Sequence, residues 1–314
     1  MTNNTCSLLS EGEKFARYGF LAILVLPLTF IYIRILMVMT RKSTSIYTDS
    51  FYSIYRIDGV VSVSYNLISY SLIRLIIYIT PYCNFIMDMF STPSWLLTSY
   101  FFFYLFFQFM KVLSTVTICA NRLTSVTIPV KHTYFWKTYF WHILFLQILI
   151  SVVCSFPILQ GPAYIIFRDG KGTMTIVRNF SFIGPNTLRI TLLLPSIVFV
   201  MATNILIIKK LPKNMRHVEN SMSISTLFIS FGFILNLVPV FGIYLIDQNY
   251  LNENPTFSAI YSIVYLFCTD FYMISGPIVL LVVDKKLRKR TTTWKKVDSN
   301  MIWVQKQTNS RINN

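Results

Sequence analysis

The chain has 314 residues, 54% of them hydrophobic, 16% aromatic and only 13% charged, with a formal net charge of +16. An ordinary soluble domain carries about 25% charged residues, so this composition excludes a soluble globular protein, and the aromatic content excludes disorder. The 10 Gly and 12 Pro exclude a collagen-like or low-complexity chain.

Apolar stretches run at 18–39, 60–80, 96–120, 139–159, 190–208, 224–246 and 257–283. Each approaches or exceeds the roughly 20 residues that a helix needs to cross a bilayer. They predict an all-α fold, a polytopic seven-transmembrane helix bundle. The expected organisation is an extracellular N-terminus at 1–17, the seven-helix domain at 18–283 and a basic cytoplasmic tail at 284–314. A polar leader with Glu11 and Glu13 precedes the first stretch, which is too long for a signal-peptide core, so it reads as a membrane helix that is retained.

A charge of +16 invites a nucleic-acid reading, but the placement of the charges argues otherwise. Nineteen of the 28 Lys and Arg fall on one side of the seven spans, among them Arg41, Lys42, Arg122, Lys209, Lys210 and nine in the tail; six fall on the other. The basic side of a membrane protein faces the cytoplasm, which puts the N-terminus outside and the C-terminus inside against anionic lipid, with no nucleic-acid partner. Two glycosylation sequons, at Asn3 and Asn179, both lie on the side assigned outside. Of five Cys, only Cys6 and Cys83 fall there, where an oxidising exterior leaves both a disulfide and two free thiols open.

Along the chain, Arg34 in span one and Arg74 in span two lie near enough to a span end to snorkel. Span three opens on the aromatic run Tyr100-Phe101-Phe102-Phe103-Tyr104-Leu105-Phe106-Phe107. Within it Tyr100, Tyr104 and Gln108, four residues apart, share one helix face that leads toward Lys111 and is a candidate ligand-cavity wall. Lys111 lies mid-span, where an ionisable side chain is paired or wet. Asp270 is its counterpart in span seven at nearly the same expected depth. Either the two pair across the bundle, as a static register pin or one that a ligand breaks, or they face a polar cavity.

Arg122 closes span three at the inner mouth, a candidate coupling residue for a cytoplasmic partner. Between spans four and five, Tyr164-Ile165-Ile166-Phe167 and Thr173-Met174-Thr175-Ile176-Val177 flank an Asp-Gly pair and read as a hairpin over the outer mouth. Pro27, Pro195, Pro239 and Pro277 interrupt spans one, five, six and seven without pairing into repeated halves, unlike the broken helices of inverted-repeat transporters. His132, His142 and His217 form no metal-binding or catalytic spacing, so neither an enzyme, a metal nor a cofactor is expected.

The seven-span layout, Phe51-Tyr52-Ser53-Ile54-Tyr55-Arg56-Ile57-Asp58 ahead of span two, and Cys119-Ala120-Asn121-Arg122-Leu123-Thr124-Ser125-Val126 through Pro129 and Trp136 resemble the nematode serpentine receptors of class gamma, with class V as close neighbour. The resemblance covers nearly the whole chain. It implies a G-protein-coupled chemoreceptor in the plasma membrane of sensory neurons, with a small external chemical as ligand and a heterotrimeric G protein as cytoplasmic partner. Against the wider rhodopsin-like group, Asn121 stands in the acidic place of the Asp-Arg-Tyr motif, Leu123 in its Tyr place, and no Cys follows span four to bond helix three. Arg122 alone therefore carries over as the coupling residue. The alternative is a small-solute transporter or ion channel working through the Lys111/Asp270 pair.

Overall fold

The computed structural model describes residues 23, 25–40, 50–74, 85–86, 89–168, 173–177, 185–210, 216–238, 240–242 and 255–283. Among these residues the chain forms α-helices α1 (Leu26–Thr40), α2 (Ser50–Ile68), α3 (Trp95–Thr127), α4 (Pro129–Ser155), α5 (Pro185–Lys210), α6 (Arg216–Leu235) and α7 (Pro255–Val283). Each overlaps one expected span. Among the described residues, three segments are long and apolar enough to cross a membrane, Trp95–Thr127, Pro129–Gln160 and Thr187–Lys210, and two shorter apolar ones are Leu26–Thr40 and Thr226–Gly242.

Span two was expected at 60–80, yet α2 begins at Ser50 and continues from Ile68 into a π-helical turn over Ser69–Arg74. Arg56, Asp58 and several Ser and Tyr depress the hydropathy of its first turns. The helix nevertheless presents Phe51, Ile54, Tyr55, Asp58, Ser62 and Tyr65 to the interior at three- and four-residue intervals. Span four likewise starts ten residues earlier than the apolar pattern, at Pro129. A proline in the first helical turn needs no N–H partner, and only Ile128 separates α3 from α4.

Among the described residues the fold is helical apart from one hairpin. Strands β1 (Tyr164–Arg168) and β2 (Thr173–Val177) pair antiparallel, Tyr164 opposite Val177 and Arg168 opposite Thr173, as the sequence predicted. α3 occupies the centre, packing on α2, α4, α5 and α6, while α7 packs on α6, α1 and α2. One core cluster surrounds the hairpin half of α3, with Leu97, Phe101, Phe109, Phe233 and Tyr272. A second, with Ile35, Phe51, Ile54, Ile118 and Trp136, lies toward the other end. Pro195 sits within α5, and Pro27 in the first turn of α1. The expected sequons at Asn3 and Asn179, the cysteines Cys6 and Cys83, Pro239 and the segments at 1–17 and 284–314 lie outside the described residues. Cys119, Cys154 and Cys268 are free thiols.

Candidate functional site

Four helices converge on a buried ion pair. Lys111 of α3 donates from Nζ to Asp58 Oδ2 of α2 at 2.7 Å, with the two side chains 0% and 1% exposed. Tyr32 of α1 donates its hydroxyl to the same carboxylate oxygen at 3.2 Å. α7 reaches the pair because residue 276 is Gly: a Cβ there would stand 3.3 Å from both Asp58 Oδ2 and Tyr32 Oη. α2 reaches α1 because residue 59 is Gly, whose Cβ would fall 2.6 Å from Leu36 Cδ2. Tyr272 of α7 completes the enclosure. Its ring centroid is 5.4 Å from Lys111 Nζ, its hydroxyl donates to the Lys111 carbonyl at 3.1 Å, and the Thr115 hydroxyl lies 2.8 Å from it. Removing one member of such a pair strands a charge in a low-dielectric interior, so the cluster is stable only as a unit.

Of the two arrangements that the sequence left open for Lys111 and Asp270, the pairing is not formed, since Lys111 takes Asp58 instead. Asp270 accepts instead from the Tyr70 hydroxyl at 2.8 Å. Asp270 lies six residues along α7 from Gly276, the residue that abuts Asp58, or about 9 Å at the helical rise. The carboxylate that the sequence reading left ahead of span two is the one at the depth of Lys111. A transporter or channel mechanism built on a Lys111/Asp270 pair loses its starting geometry.

Of the other expected cavity residues, Tyr104 and Gln108 belong to a hydrogen-bonded chain, and Tyr100 is anchored on α2. Tyr100 donates to the Ile68 carbonyl, at the point where α2 widens into its π turn. Tyr65 donates to Tyr104 Oη at 3.0 Å, and Gln108 Nε2 donates to Tyr65 at 2.9 Å and to Tyr104 at 3.2 Å. Tyr104 continues to Tyr265 of α7 at 3.1 Å, and Arg189 of α5 donates to Tyr265 at 3.4 Å. In an apolar interior such polar groups hold position by satisfying one another.

Beside this chain is a cavity of about 20 Å³ between α3, α5, α6 and α7, enough for a single water. Its polar wall is Gln108, Arg189, Asn236, Thr269 and Tyr272; its apolar wall is Phe109, Val112, Leu193, Val240 and Met273. Of the five expected cavity residues only Gln108 lines it. Thr269 donates to Asn236 Oδ1 at 3.4 Å. Tyr272 belongs both to this wall and to the enclosure of the ion pair.

At the far end of α3, Arg122 lies with its guanidinium carbon 3.6 Å from the Phe51 ring centroid, and Asn121 donates to Ser50 at 3.3 Å. Both contacts fasten α3 to the start of α2. Trp136 Nε1 donates to Thr124 Oγ1 at 2.8 Å and His132 Nδ1 lies 3.0 Å from it, so Thr124 anchors α4 to α3 beside Arg122. At the hairpin end, Ser94 and Ala163 exchange backbone hydrogen bonds, Ser94 N to Ala163 O at 2.8 Å and the reverse at 3.4 Å. Thr98 Oγ1 accepts from Ala163 N at 2.8 Å and lies 3.1 Å from the Gly161 carbonyl oxygen, to which it donates. This backbone clasp ties the hairpin's root to the top of α3, where the sequence offers no cysteine in the loop.

Sequence reasoning missed Asp58, Tyr32, Tyr272, Arg189, Asn236 and Thr269. For Asp58 a signal existed: a carboxylate at the edge of a span, on a face shared with Phe51, Ile54, Tyr55 and Tyr65. For Arg189 the apolar boundary at 190 misled, since α5 starts at Pro185 and carries Arg189 into the bundle. Among the described residues no group of three or more His, Cys, Asp or Glu is placed to hold a metal ion.

Comparison with known proteins follows the same contour. A sequence model of the Srg family chemoreceptors matches residues 18–291. Serpentine receptor class gamma-14 of Caenorhabditis elegans is 24% identical over 247 residues, 77% of this chain and 72% of that protein. Class gamma-4 is 22% identical over 294 residues, 91% and 89% of the two chains, and class gamma-20 is 27% identical over 248 residues, 77% and 69%, both from the same organism.

Proposed function

From the place of this chain in the Srg family chemoreceptors, to which it belongs as a multi-pass membrane protein, we propose that it is a G-protein-coupled chemoreceptor for a small external chemical. All seven helices cross the bilayer, with the N-terminus and the Asn3 and Asn179 sequons outside and the basic tail inside. The receptor works in the plasma membrane of sensory neurons. One observation supports a coupling route: Tyr272 belongs both to the wall of the cavity and to the enclosure of the Lys111–Asp58 pair. A ligand that widens the cavity displaces Tyr272 and with it the α7 face that closes on Asp58. The pair then loosens, α2 and α3 change their relative packing, and the Arg122–Phe51 contact opens at the cytoplasmic end for a G protein.

The test is G-protein activation by the full chain in a sensory-like cell, over a panel of small odorants and secreted metabolites. The expected result is a ligand-dependent signal that Arg122→Ala abolishes with surface expression unchanged. Ligand-dependent current or uptake that survives loss of G protein overturns the reading.

A further inference from the structure

Lys137 stands at a transition along the exposed face of α4. Beyond it, at three- and four-residue steps, that face carries Trp141, Phe145, Leu149, Val153 and Phe156, all exposed. No Lys, Arg, Asp or Glu occurs from Thr138 to Gln160, so Lys137 is the last charge before this apolar strip. From Lys137 to Phe156 the chain rises about 28 Å, against about 30 Å for the hydrocarbon core of a bilayer. The strip therefore spans the core, and Lys137 sits at the level of the headgroups. On its other side the same face continues as Tyr134 and Val130, 73% and 94% exposed.

The neighbouring helices offer the exposed Lys137 no acid. α4 packs on α3 and α2. Neither α3 nor α4 contains an Asp or Glu, and the one acid of α2, Asp58, is buried and taken by Lys111. Lys131, also exposed, adds a second positive charge at the same end of α4. Tyr134, three residues before Lys137, and Trp141, four after, place an exposed amphipathic ring one turn to either side. Such rings settle at the boundary between headgroup and acyl chain. A lysine ammonium is a compact charge for a phosphate, on a stem that lies along apolar surface.

We propose that this face of α4 is a selective site for an anionic glycerophospholipid, its phosphate on Lys137 between Tyr134 and Trp141 and its acyl chains along Trp141, Phe145 and Leu149. The inference rests on α4 crossing the bilayer, as in the reading above, and not on what the receptor senses. Charge decides the occupant. A zwitterionic headgroup brings a cation of its own to a surface that is already positive. The apolar helix of a second copy would cover Lys137 without a counter-charge, which is costly at the edge of the membrane.

The experiment reads tryptophan fluorescence of the purified full chain in phosphatidylcholine nanodiscs. The discs carry either phosphatidylserine or phosphatidylcholine with brominated acyl chains, titrated over the same mole fractions. Bromine quenches an indole that it touches, and the difference between the parent chain and Trp141→Phe isolates Trp141. Brominated phosphatidylserine is expected to reach half-quenching of Trp141 at a mole fraction about fivefold lower than brominated phosphatidylcholine, the preference that one lysine confers toward anionic lipid. Lys137→Gln abolishes that preference and Lys137→Arg keeps it. Lys209→Gln, at an exposed lysine of α5, leaves it unchanged. Equal quenching by the two lipids, or a preference that survives Lys137→Gln, overturns the proposal. So does a preference that Lys209→Gln removes equally, which would be diffuse surface charge, or a Trp141 that neither lipid quenches, which would mean that protein covers the face. None of these results bears on G-protein activation, so the receptor reading stands or falls separately.

Discussion

α3 and α4 are consecutive, similar in length and both apolar enough to cross a membrane, yet 67% of the most apolar window of α3 is buried against 22% for α4. In lipid an apolar side chain gains little by moving from hydrocarbon into protein, whereas a polar one gains a partner. α3 carries Gln108, Lys111, Ser114, Thr115 and Asn121 and buries all of them. α4 buries a strip with Trp136, Gln147, Ser151 and Ser155, and its Gln147 docks on the Leu113 carbonyl of α3 at 3.2 Å and on Thr117. Its remaining surface, with Tyr134, Trp141 and Phe145, stays exposed. Polar side chains, more than hydrophobicity, decide which helix becomes the hub.

The strongest way to break this comparison is to remove the charge at the hub. Lys111→Met leaves Asp58 buried without its counter-ion, which is expected to cost about 3–5 kcal/mol and to empty the cell surface of receptor. Surface staining and the melting temperature of the purified chain measure it. Lys111→Asp combined with Asp58→Lys should recover part of that loss. Full stability of Lys111→Met would mean that the ion pair does not organise α3. Asp270→Asn is the matching control: it spares the Lys111–Asp58 pair, so restoration of Lys111→Met by Asp270→Asn would return Asp270 to the role that the sequence suggested.

A smaller effect is expected at the α3–α4 contact. Thr124→Val removes the acceptor of the buried Trp136 indole and the partner of His132, at a cost of about 1–3 kcal/mol, read in the same melting assay. Smaller again is Gly59→Ala. The added methyl meets Leu36 Cδ2, the free end of a side chain that can rotate, so a loss of about 1 kcal/mol is expected, toward the low end of overpacking effects.

The helices were legible because seven apolar stretches of suitable length leave little choice of architecture, and the hairpin because two β-prone runs flank an Asp-Gly pair in the sequence. The family was legible in the Asn121-Arg122…Pro129…Trp136 stretch, and the structure shows that stretch holding the α2, α3 and α4 ends together. The partner of Lys111 was not legible. Hydropathy placed α2 too late because its first turns are rich in polar groups satisfied by other helices, and a one-dimensional apolar pattern counts such residues as loop. The depth of Asp270 was judged from the expected end of span seven, with no account of how α7 approaches α2 at Gly276. Arg189 escaped for a related reason: a charged residue at an apolar boundary reads as loop until the helix is seen to start one turn earlier.

The smallest effect is expected on the outer face of α4. Trp141 is 70% exposed, and Phe145, also exposed, lies one helical turn further on the same face. If α4 presents that face to lipid, Trp141→Leu exchanges one apolar surface for another and should change stability by less than about 0.5 kcal/mol, with signalling intact. The same substitution on the buried strip, Trp136→Leu, loses both packing and the bond to Thr124 and must be clearly worse. The size of that gap measures how strictly the two faces of α4 differ. Were Trp141→Leu as damaging as Trp136→Leu, the exposed face would have to contact protein in the membrane, and α4 would be a second hub instead of a wall.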